Sequence, residues 1–383
     1  MKILFLTDGI YPFVIGGMQK HSLNLVQALA AKEIEIALVH CGGRDYSPEK
    51  FRQLFAEGEN KRIQEVLIEF PKSGKLPGHY LRENRIYSKN IYQKIESFLN
   101  QFDLIYAQGF TGWYFLKMKE KNKLQIPIVV NFHGYGEFQK APGLKVALQY
   151  RMLRPAIRFN TLKADFIYSF GGIIDRIIEE IGVPKDKILR QSNGIELEWL
   201  TDSPKKHPIR TFIFIGRNER RKGVIELNAV LRSLNLSRRT EFDFHLVGAF
   251  SDESKLNAVN LHYHGEIFDQ NDLKKIIDQC DCLVCPSYAE GMPTVILEAM
   301  ARGLVIIGTD VGAVSEQIDG NGILLERPEI NSLEKAIRDI CDLPEDVLLK
   351  MKLRSIELVK ERFLWSKIVE NKIKDFNRIT GRS

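Results

Sequence analysis

The sequence predicts an α/β fold of two domains, each built on a parallel sheet that helices cover on both faces. Three observations predict it. Short continuous apolar runs alternate with segments whose apolar residues recur every three or four positions, as in successive strand–helix units. The alternation stops at a polar, proline-marked stretch, residues 201–208, and then starts again. The chain, with 383 residues, is also longer than one hydrophobic core usually serves.

The predicted elements follow one another along the chain. In the first half, strands are expected at residues 2–7, 35–41, 103–107, 126–132 and 166–170, with a helix at 19–31. In the second half, strands are expected at residues 211–216, 242–248, 262–265, 282–286 and 305–309, with a helix at 225–234 and further helices over 331–376. A hinge is expected near residues 196–210. Open α/β sheets bind ligands beyond the carboxyl ends of their strands, so functional residues are expected directly after strands.

Composition and charge indicate a soluble protein with a basic first half. Apolar residues make up 44% and charged residues 27% of the chain, and no run approaches the roughly 20 apolar residues of a membrane-spanning helix. Residues 1–190 contain 28 Lys and Arg against 19 Asp and Glu, which accounts for the net charge of +6. An anionic partner is therefore expected at the first half. Nucleic acid is not an expected partner, because no platform of aromatic and basic residues occurs.

The five cysteines indicate a reducing compartment rather than a metal site. Cys282 and Cys285 have the spacing of a metal-binding knuckle, but a structural zinc ion needs four ligands and no second pair follows. The alternative is that these thiols lie in a buried strand, which the apolar residues around them favour. Free thiols in such surroundings are typical of cytoplasmic proteins, and no metal ion is expected.

The segment that Glu290 and Glu298 delimit is the most informative stretch of the chain. A Gly-Met-Pro turn follows the first glutamate, and a helix is expected to begin near Pro293. The unpaired N–H groups of a first helical turn bind phosphate, and carboxylates accept hydrogen bonds from hydroxyls. This combination suits a nucleotide-sugar. The alternative is an ordinary helix start, since acidic residues are common near helix N-termini.

Three further segments that follow strands could contact the same ligand. The pair Gly16-Gly17 could let the backbone approach a phosphate closely, or could be a flexible loop. Gly216 precedes Arg217 and Lys222, which could flank a diphosphate or form a solvated basic turn. His133 ends a strand and could contact a ligand or be an ordinary structural histidine.

Taken in order, these motifs resemble those of retaining glycosyltransferases of family 4, which have the GT-B fold of two Rossmann-like domains facing each other across a cleft. The resemblance covers nearly the whole chain and is strongest at residues 192–195, 216–223 and 290–303. It implies an N-terminal acceptor-binding domain at residues 1–200, completed by a C-terminal helix at about 361–383. It implies a C-terminal domain at residues 201–360 that binds the nucleotide-sugar donor.

The resemblance also implies roles for individual residues. Glu298 would bind the donor ribose and Glu290 the hydroxyls of the transferred sugar. Arg217 and Lys222 would stabilise the leaving diphosphate, and His133 would contact the donor sugar from the acceptor side. The remaining donor-binding residues lie in loops and at a helix start: Gly16, Gly17, Gly216, Ile267, Gly291, Met292, Pro293, Thr294 and Val295.

The implied reaction is the transfer of a hexose from a UDP- or GDP-sugar to a glycan, lipid-linked or lipopolysaccharide-type acceptor, with retention at the anomeric carbon. The resemblance implies no divalent metal and no other cofactor, because Arg217 and Lys222 would neutralise the diphosphate. The lack of an Asp-x-Asp motif agrees with this. Two alternatives stay open: a nucleotide-sugar epimerase of similar architecture, and a nucleotide-sugar-binding protein without activity.

Residues 138–163 predict a basic amphipathic helix. Six Lys or Arg residues and no Asp or Glu occur there, interleaved with leucines, and Pro155 is expected to break the pattern. The apolar residues could pack against the domain and leave a solvated charged face. Alternatively, the segment could dock on anionic lipid, at about 1 kcal/mol per basic residue near the surface. The second hypothesis makes the protein a cytoplasmic enzyme that is peripheral on the inner face of a membrane.

Overall fold

The computed structural model describes residues 1–43, 45–72, 74, 78–237 and 241–382, and it confirms the predicted α/β class. The strands of the first sheet are β1 (Lys2–Leu6), β2 (Glu35–His40), β3 (Ile63–Leu67), β4 (Leu104–Gln108), β5 (Ile128–Asn131), β6 (Phe166–Ser169) and β7 (Ile188–Arg190). Those of the second sheet are β8 (Thr211–Ile215), β9 (Asp243–Val247), β10 (Leu261–Gly265), β11 (Cys282–Cys285), β12 (Val305–Thr309) and β13 (Gly322–Leu325).

Helices lie between the strands and cover both sheets. In the first domain they are α1 (Gly17–Ala31), α2 (Pro48–Arg52), α3 (Glu57–Asn60), α4 (His79–Ile95), α5 (Trp113–Glu120), α6 (Leu144–Lys163) and α7 (Ile173–Ile181). In the second half of the chain they are α8 (Val224–Ser237), α9 (Gln270–Ile277), α10 (Thr294–Ala301), α11 (Ile330–Cys341), α12 (Glu345–Leu358) and α13 (Trp365–Thr380).

Both sheets are parallel throughout the described chain and have a reversal of strand order near their centre. The first has the order β3-β2-β1-β4-β5-β6-β7, and the second has the order β10-β9-β8-β11-β12-β13. The reversals fall between β1 and β4 and between β8 and β11. Ligands of open α/β sheets bind outside the carboxyl ends of the strands at such positions.

The pattern of apolar residues predicts every central strand to within two residues, but it does not predict β3, β7 or β13. These three are edge strands. The central strand β1 is fully buried from Ile3 to Leu6, whereas β3 and β13 are partly exposed along most of their length. Edge strands do not need a continuous apolar run, and β7 has only three residues, so the sequence signal is weak there.

The chain crosses between the domains twice, and the two crossings are hydrogen-bonded to each other. The N–H of Ile195 donates to the carbonyl oxygen of Phe363 at 2.8 Å, and the N–H of Trp365 donates to that of Ile195 at 3.2 Å. The first crossing thus begins at residue 195, at the near end of the predicted hinge. A Cβ on Gly194 would lie 2.5 Å from the Trp365 ring, so only glycine allows this packing.

Helix α13 returns to the first domain and completes its core. Trp365, Ile368, Val369 and Phe376 are buried in one cluster with residues of β1, β2 and α1. Lys372 is buried with them, and its ammonium donates to Gln191 and lies over the Tyr168 ring. The helix begins at Trp365, a few residues later than the resemblance implies.

Helix α6 runs without interruption through Pro155, which corrects the expectation that this proline breaks the pattern. Proline removes one N–H donor from a helix. The ring is exposed, so water can reach the carbonyl that loses its partner. The two halves of the helix differ, because the buried residues lie after Pro155, whereas Leu144, Leu148 and Met152 before it are exposed. Among the described residues, no helix combines the length and apolarity that crossing a bilayer requires.

We expect Phe376→Ala to lower the free energy of unfolding of the first domain by about 3–5 kcal/mol, because it removes the fully buried Phe376 ring and leaves a cavity in its place. Urea denaturation followed by circular dichroism measures the change. Lys374→Ala, at an exposed position of the same helix, is the matched control and should change it by less than about 0.5 kcal/mol. Equal stabilities of the two variants would show that α13 does not belong to the first domain's core.

Candidate active site

An interdomain cleft of about 330 Å³ lies beyond the carboxyl ends of the central strands of both sheets. Its first-domain wall comes from the start of α1, from the turn after β5 and from Asn193. Its second-domain wall comes from the loops after β8 and β11 and from the start of α10. The lining residues are Gly17, Met18, His133, Asn193, Ile215, Gly216, Arg217, Arg221, Lys222, Glu290, Gly291, Met292, Pro293, Thr294 and Val295.

Glu290 is a buried carboxylate that two cations and a hydroxyl hold in place. Lys222 Nζ lies 2.6 Å from Oε1, and Ser287 Oγ donates to the same oxygen at 2.7 Å. An Arg221 guanidinium nitrogen lies 3.4 Å from Oε2. Burial alone would raise the pKa of Glu290, but Lys222, Arg221 and these hydrogen bonds hold it below its usual value. The carboxylate therefore stays ionised and can accept hydrogen bonds from a ligand's hydroxyl groups.

The two cations reach Glu290 because of a short 3₁₀ turn, Arg220–Lys222, between β8 and α8. The turn ends at Gly223, whose φ of 71° lies in the left-handed region. A Cβ there would meet the carbonyl oxygen of Pro286 at 1.9 Å, so the turn packs directly against the end of β11. The loop after β8 thus places positive charge next to the Glu290 carboxylate in the loop after the neighbouring strand, β11.

Helix α10 begins at the cleft, since Pro293, Thr294 and Val295 line it. Its first N–H groups have no partners within the helix and form a site for a negatively charged group. Glu298, one turn further, is buried and does not line this cleft. It borders an adjoining small cavity with Thr294 and forms an ion pair with Lys20 of α1 at 3.3 Å.

Two buried amides of the first domain clamp the backbone on either side of Gly291. Gln139 Nε2 donates to the carbonyl oxygens of Gly134 and Glu290, both at 2.8 Å, and its Oε1 accepts from the N–H of Gly312 at 3.1 Å. Asn193 Nδ2 donates to the carbonyl oxygen of Met292 at 2.5 Å. Each side chain bridges the two domains, so the clamp exists only when the cleft is closed.

The closed cleft brings the main chains of the domains into direct contact. A Cβ on Gly291 would lie 1.7 Å from the carbonyl oxygen of His133, and one on Gly134 would lie 3.0 Å from Gly291 Cα. Real Cβ atoms never come so close to a backbone oxygen. Glycine at residue 291 is therefore a requirement of closure.

His133 contributes a neutral imidazole to the cleft. Its φ of 61° is unusual for a residue with a side chain and turns the chain sharply after β5. Nε2 lies 2.6 Å from Gln108 Oε1, and the ring makes an edge contact with the ring of His21. Burial, with Lys372 as the weaker cause, lowers the pKa of His133 to about 3. The ring is thus a hydrogen-bonding group near neutral pH and carries no charge.

The structure brings most of the predicted site residues together. Gly17, His133, Gly216, Arg217, Lys222, Glu290, Gly291, Met292, Pro293, Thr294 and Val295 all line the cleft. Gly16 precedes α1 next to the cleft wall, and Glu298 borders the adjoining cavity. Ile267, in the loop after β10, does not line the described cleft and packs against the core.

Arg217 lines the cleft, and so does Arg221, which the sequence alone does not single out. The Arg217 side chain is 72% exposed and pairs with Glu219 at 2.9 Å. Arg221 is 30% exposed and contacts Glu290. The run Arg220–Lys222 was visible in the sequence, but only the 3₁₀ turn decides which guanidinium faces inward. No sequence signal marks Gln139, because its partners are backbone groups far along the chain.

The two cysteines that have the spacing of a metal-binding knuckle lie in a buried strand. Cys282 and Cys285 are buried, free thiols of β11. Burial raises the pKa of Cys285 to about 11, so its thiol is protonated. Among the described residues, no group of three or more histidines, cysteines and carboxylates has the arrangement of a metal site.

Comparisons with known proteins agree with this geometry. Residues 15–199 match the family described as Glycosyltransferase Family 4, and residues 209–342 match the family described as Glycosyl transferases group 1. An uncharacterized glycosyltransferase of Methanocaldococcus jannaschii is 26% identical over 96% of both chains. A GDP-mannose:cellobiosyl-diphosphopolyprenol alpha-mannosyltransferase of Xanthomonas oryzae is 21% identical, over 100% of this chain and 98% of its own. The solved structure of sucrose-phosphate synthase from Thermosynechococcus elongatus has a TM-score of 0.77 at 17% identity and covers 100% of both chains.

Fold, cleft and comparisons define a transferase with the GT-B fold that uses nucleotide-sugar donors. The two family matches together span most of the chain. The chain belongs to glycosyltransferase family 4, group 1.

We expect Gly291→Ala to leave both domains folded and to prevent closure, because the new methyl group would overlap the His133 carbonyl. Since small displacements at a reacting centre are costly, kcat/KM should fall by about a hundredfold or more. Steady-state kinetics and small-angle X-ray scattering of the donor-bound enzyme measure the two effects. Gly58→Ala, where a Cβ meets nothing within 4 Å, is the control. A Gly291→Ala variant as active and as compact as this control would contradict the closure requirement.

Proposed function

We propose that this protein is a retaining hexosyltransferase that moves a sugar from a UDP- or GDP-sugar to a glycan, lipid-linked or lipopolysaccharide-type acceptor. The observation that carries the proposal is the charge cluster at the start of α10. There the Glu290 carboxylate lies between Lys222 and Arg221, and the helix N-terminus opens on to the same cleft. A carboxylate for sugar hydroxyls and a positive site for the diphosphate are thus adjacent.

In the proposed reaction, an acceptor hydroxyl attacks the anomeric carbon on the face from which the diphosphate leaves. The new carbon–oxygen bond forms as the bond to the phosphate oxygen breaks, and the acceptor's proton passes to that phosphate oxygen. Lys222, Arg221 and the first N–H groups of α10 would stabilise the negative charge on the leaving group. We propose that these groups replace a divalent metal, so that no cofactor is required.

The implied roles of the other residues are kept with one addition. Glu298 would accept hydrogen bonds from the donor ribose, and His133 would contact the donor sugar as a neutral imidazole. Arg221, which contacts Glu290, joins Lys222 and Arg217 as a third cation for the diphosphate. Arg217 lines the outer part of the cleft and could meet the far end of the diphosphate after a rotamer change.

The acceptor part of the proposal rests on α6 and on a relative. The apolar residues Leu144, Leu148 and Met152 are four apart and form one exposed stripe. Basic residues of the same half, Lys145 and Arg151, are exposed beside it. This favours docking on anionic lipid over packing against the domain. The full-length mannosyltransferase relative is named for a diphosphopolyprenol acceptor, which agrees with an enzyme on the cytoplasmic face of a membrane.

Two substitutions should separate donor binding from turnover. Glu298→Ala removes the group for the ribose and should weaken donor binding by about ten- to a hundredfold with a smaller effect on kcat. Lys222→Ala removes charge from the leaving group and should lower kcat by about a hundredfold or more. Purified protein incubated with UDP-, GDP- and ADP-sugars provides the assay, read as release of nucleoside diphosphate.

The same assay separates the proposal from its alternatives. Retained activity in excess EDTA is expected, and its abolition would contradict the metal-free mechanism. Formation of an isomerised nucleotide-sugar would indicate an epimerase, and binding without any release would indicate an inactive module. Lys335→Ala, at an exposed position of helix α11 in the same domain, is the control for both variants. Equal losses of kcat and donor affinity in both variants would contradict the assigned roles.

We expect the protein to float with vesicles containing anionic phosphatidylglycerol at low salt, and not with neutral phosphatidylcholine alone. Reversing two charges on α6, with Lys145→Glu and Arg151→Glu, should weaken the partition by at least about tenfold, since each basic residue contributes about 1 kcal/mol. The matched control is Lys185→Glu with Lys187→Glu, which makes the same charge change at exposed positions elsewhere in the first domain. Equal losses in the two double variants would exclude α6 as the docking element.

A further inference from the structure

A second cavity, of about 360 Å³, adjoins the active-site cleft on the side of the first domain. Its first-domain wall is formed by residues 132–137 and by Tyr150 of α6, and residues 289–291 close it from the second domain. Four residues border both cavities: His133, Arg221, Glu290 and Gly291. A molecule bound in this second cavity would therefore touch a sugar held against Glu290.

Among the described residues that line this cavity, Glu137 is the one carboxylate besides Glu290, and it lies in a 3₁₀ turn, Gly136–Phe138. Within the residues that the structure describes, the Glu137 carboxylate forms no ion pair and no hydrogen bond with another side chain. The nearby Arg154 guanidinium instead donates to the carbonyl oxygen of Glu137 at 2.8 Å and lies over the Phe138 ring. The carboxylate thus keeps the capacity to accept hydrogen bonds from a ligand.

Burial raises the pKa of Glu137, and a hydrogen bond from its own backbone N–H and the charge of Arg154 offset this only in part. A partly desolvated carboxylate without a bound cation gains more from a hydroxyl donor than a solvated one does. This distinguishes Glu137 from Glu290, whose oxygens are already occupied by Lys222, Arg221 and Ser287.

The groups around Glu137 fit a sugar. The Tyr150 phenol borders the same cavity, and burial and Glu137 both raise its pKa, so it is a hydrogen-bond donor near neutral pH. Phe132 and Tyr135 add aromatic surface to the wall. Sugar sites combine hydroxyl-binding polar groups with apolar or aromatic surface in this way.

We propose that this second cavity is the acceptor subsite and that the Glu137 carboxylate accepts a hydrogen bond from a hydroxyl of the acceptor's terminal sugar. The inference rests on the proposed function and adds the chemical class of the acceptor. Arg221 pairs with Glu290, and Arg154 donates to the backbone carbonyl of Glu137 and not to its carboxylate, so an anionic group here would meet a negative charge that Arg154 offsets only in part. The subsite therefore selects a neutral sugar and rejects a uronic acid or a phosphorylated sugar.

The test compares acceptor use with donor hydrolysis in the same preparations. Glu137→Gln keeps the size of the side chain and removes its charge, and Glu137→Ala removes the hydrogen-bonding group. The probes are p-nitrophenyl glycosides of neutral hexoses and the corresponding p-nitrophenyl glucuronide, each offered with the donor that the wild type hydrolyses. Glu180→Gln, at an exposed position of α7, is the control with the same charge change in the same domain.

Glu137→Ala should raise the acceptor KM for neutral glycosides by about ten- to a hundredfold, as expected for the loss of a hydrogen bond to a charged group. Donor hydrolysis without acceptor should change by less than about twofold, because Glu137 does not line the donor cleft. Wild-type enzyme should prefer the neutral glycoside over the glucuronide, and Glu137→Gln should reduce that preference.

Four results would overturn the subsite while leaving the proposed function intact. The first is an acceptor KM of Glu137→Ala equal to that of the wild type, and the second is an unchanged preference in Glu137→Gln. The third is that no neutral glycoside serves as acceptor or inhibits donor hydrolysis. The fourth is loss of donor hydrolysis in both Glu137 variants, since it would give Glu137 a role at the donor. By contrast, a wild-type enzyme that hydrolyses no nucleotide-sugar would contradict the proposed function itself.

Discussion

The contact between the two walls of the site depends on one close approach of the main chains, that of Gly291 to the carbonyl oxygen of His133. Because residue 291 has no side chain, the loop after β11 and the turn after β5 meet main chain to main chain. Gln139 and Asn193 can then hydrogen-bond to the same loop from the opposite domain. The cluster of Lys222 with Glu290 lies within the second domain and does not need this contact. Closure therefore adds the first-domain wall to a charge cluster that already exists.

The sequence predicts much of the fold because a parallel sheet buries its central strands on both faces. Such strands need continuous apolar runs, and β1 and β12 have them. The same reason explains the three strands that were missed. β3 carries Gln64 and Glu65 at the edge of its sheet, and the edges β7 and β13 are three and four residues long. The path of α6 through Pro155 was also not predictable, since it depends on how exposed that proline is.

The site was predictable where its residues follow strands and are close together in the sequence. Glu290, Lys222 and His133 satisfy that condition, and the carboxyl ends of their strands face one cleft. The side-chain directions were not predictable: Arg217 and Arg221 are four residues apart, and only Arg221, which lies within the 3₁₀ turn Arg220–Lys222, contacts Glu290. Gln139 acts across the domain interface, where a single sequence carries no signal. Pairing across the interface is a property of the folded, closed molecule.

If Glu290 binds the donor sugar as proposed, donor binding requires an exchange of partners at its carboxylate. In the described state, Lys222 and Ser287 contact one carboxylate oxygen and Arg221 contacts the other. A diphosphate at the start of α10 would compete for the two cations, and sugar hydroxyls would replace them as partners of the carboxylate. A diphosphate without a sugar would leave Glu290 buried and poorly paired, which costs several kcal/mol. A ligand that supplies both the diphosphate and the sugar hydroxyls would therefore bind better than the nucleoside diphosphate alone. Once the sugar has been transferred, release of the nucleoside diphosphate is then favoured.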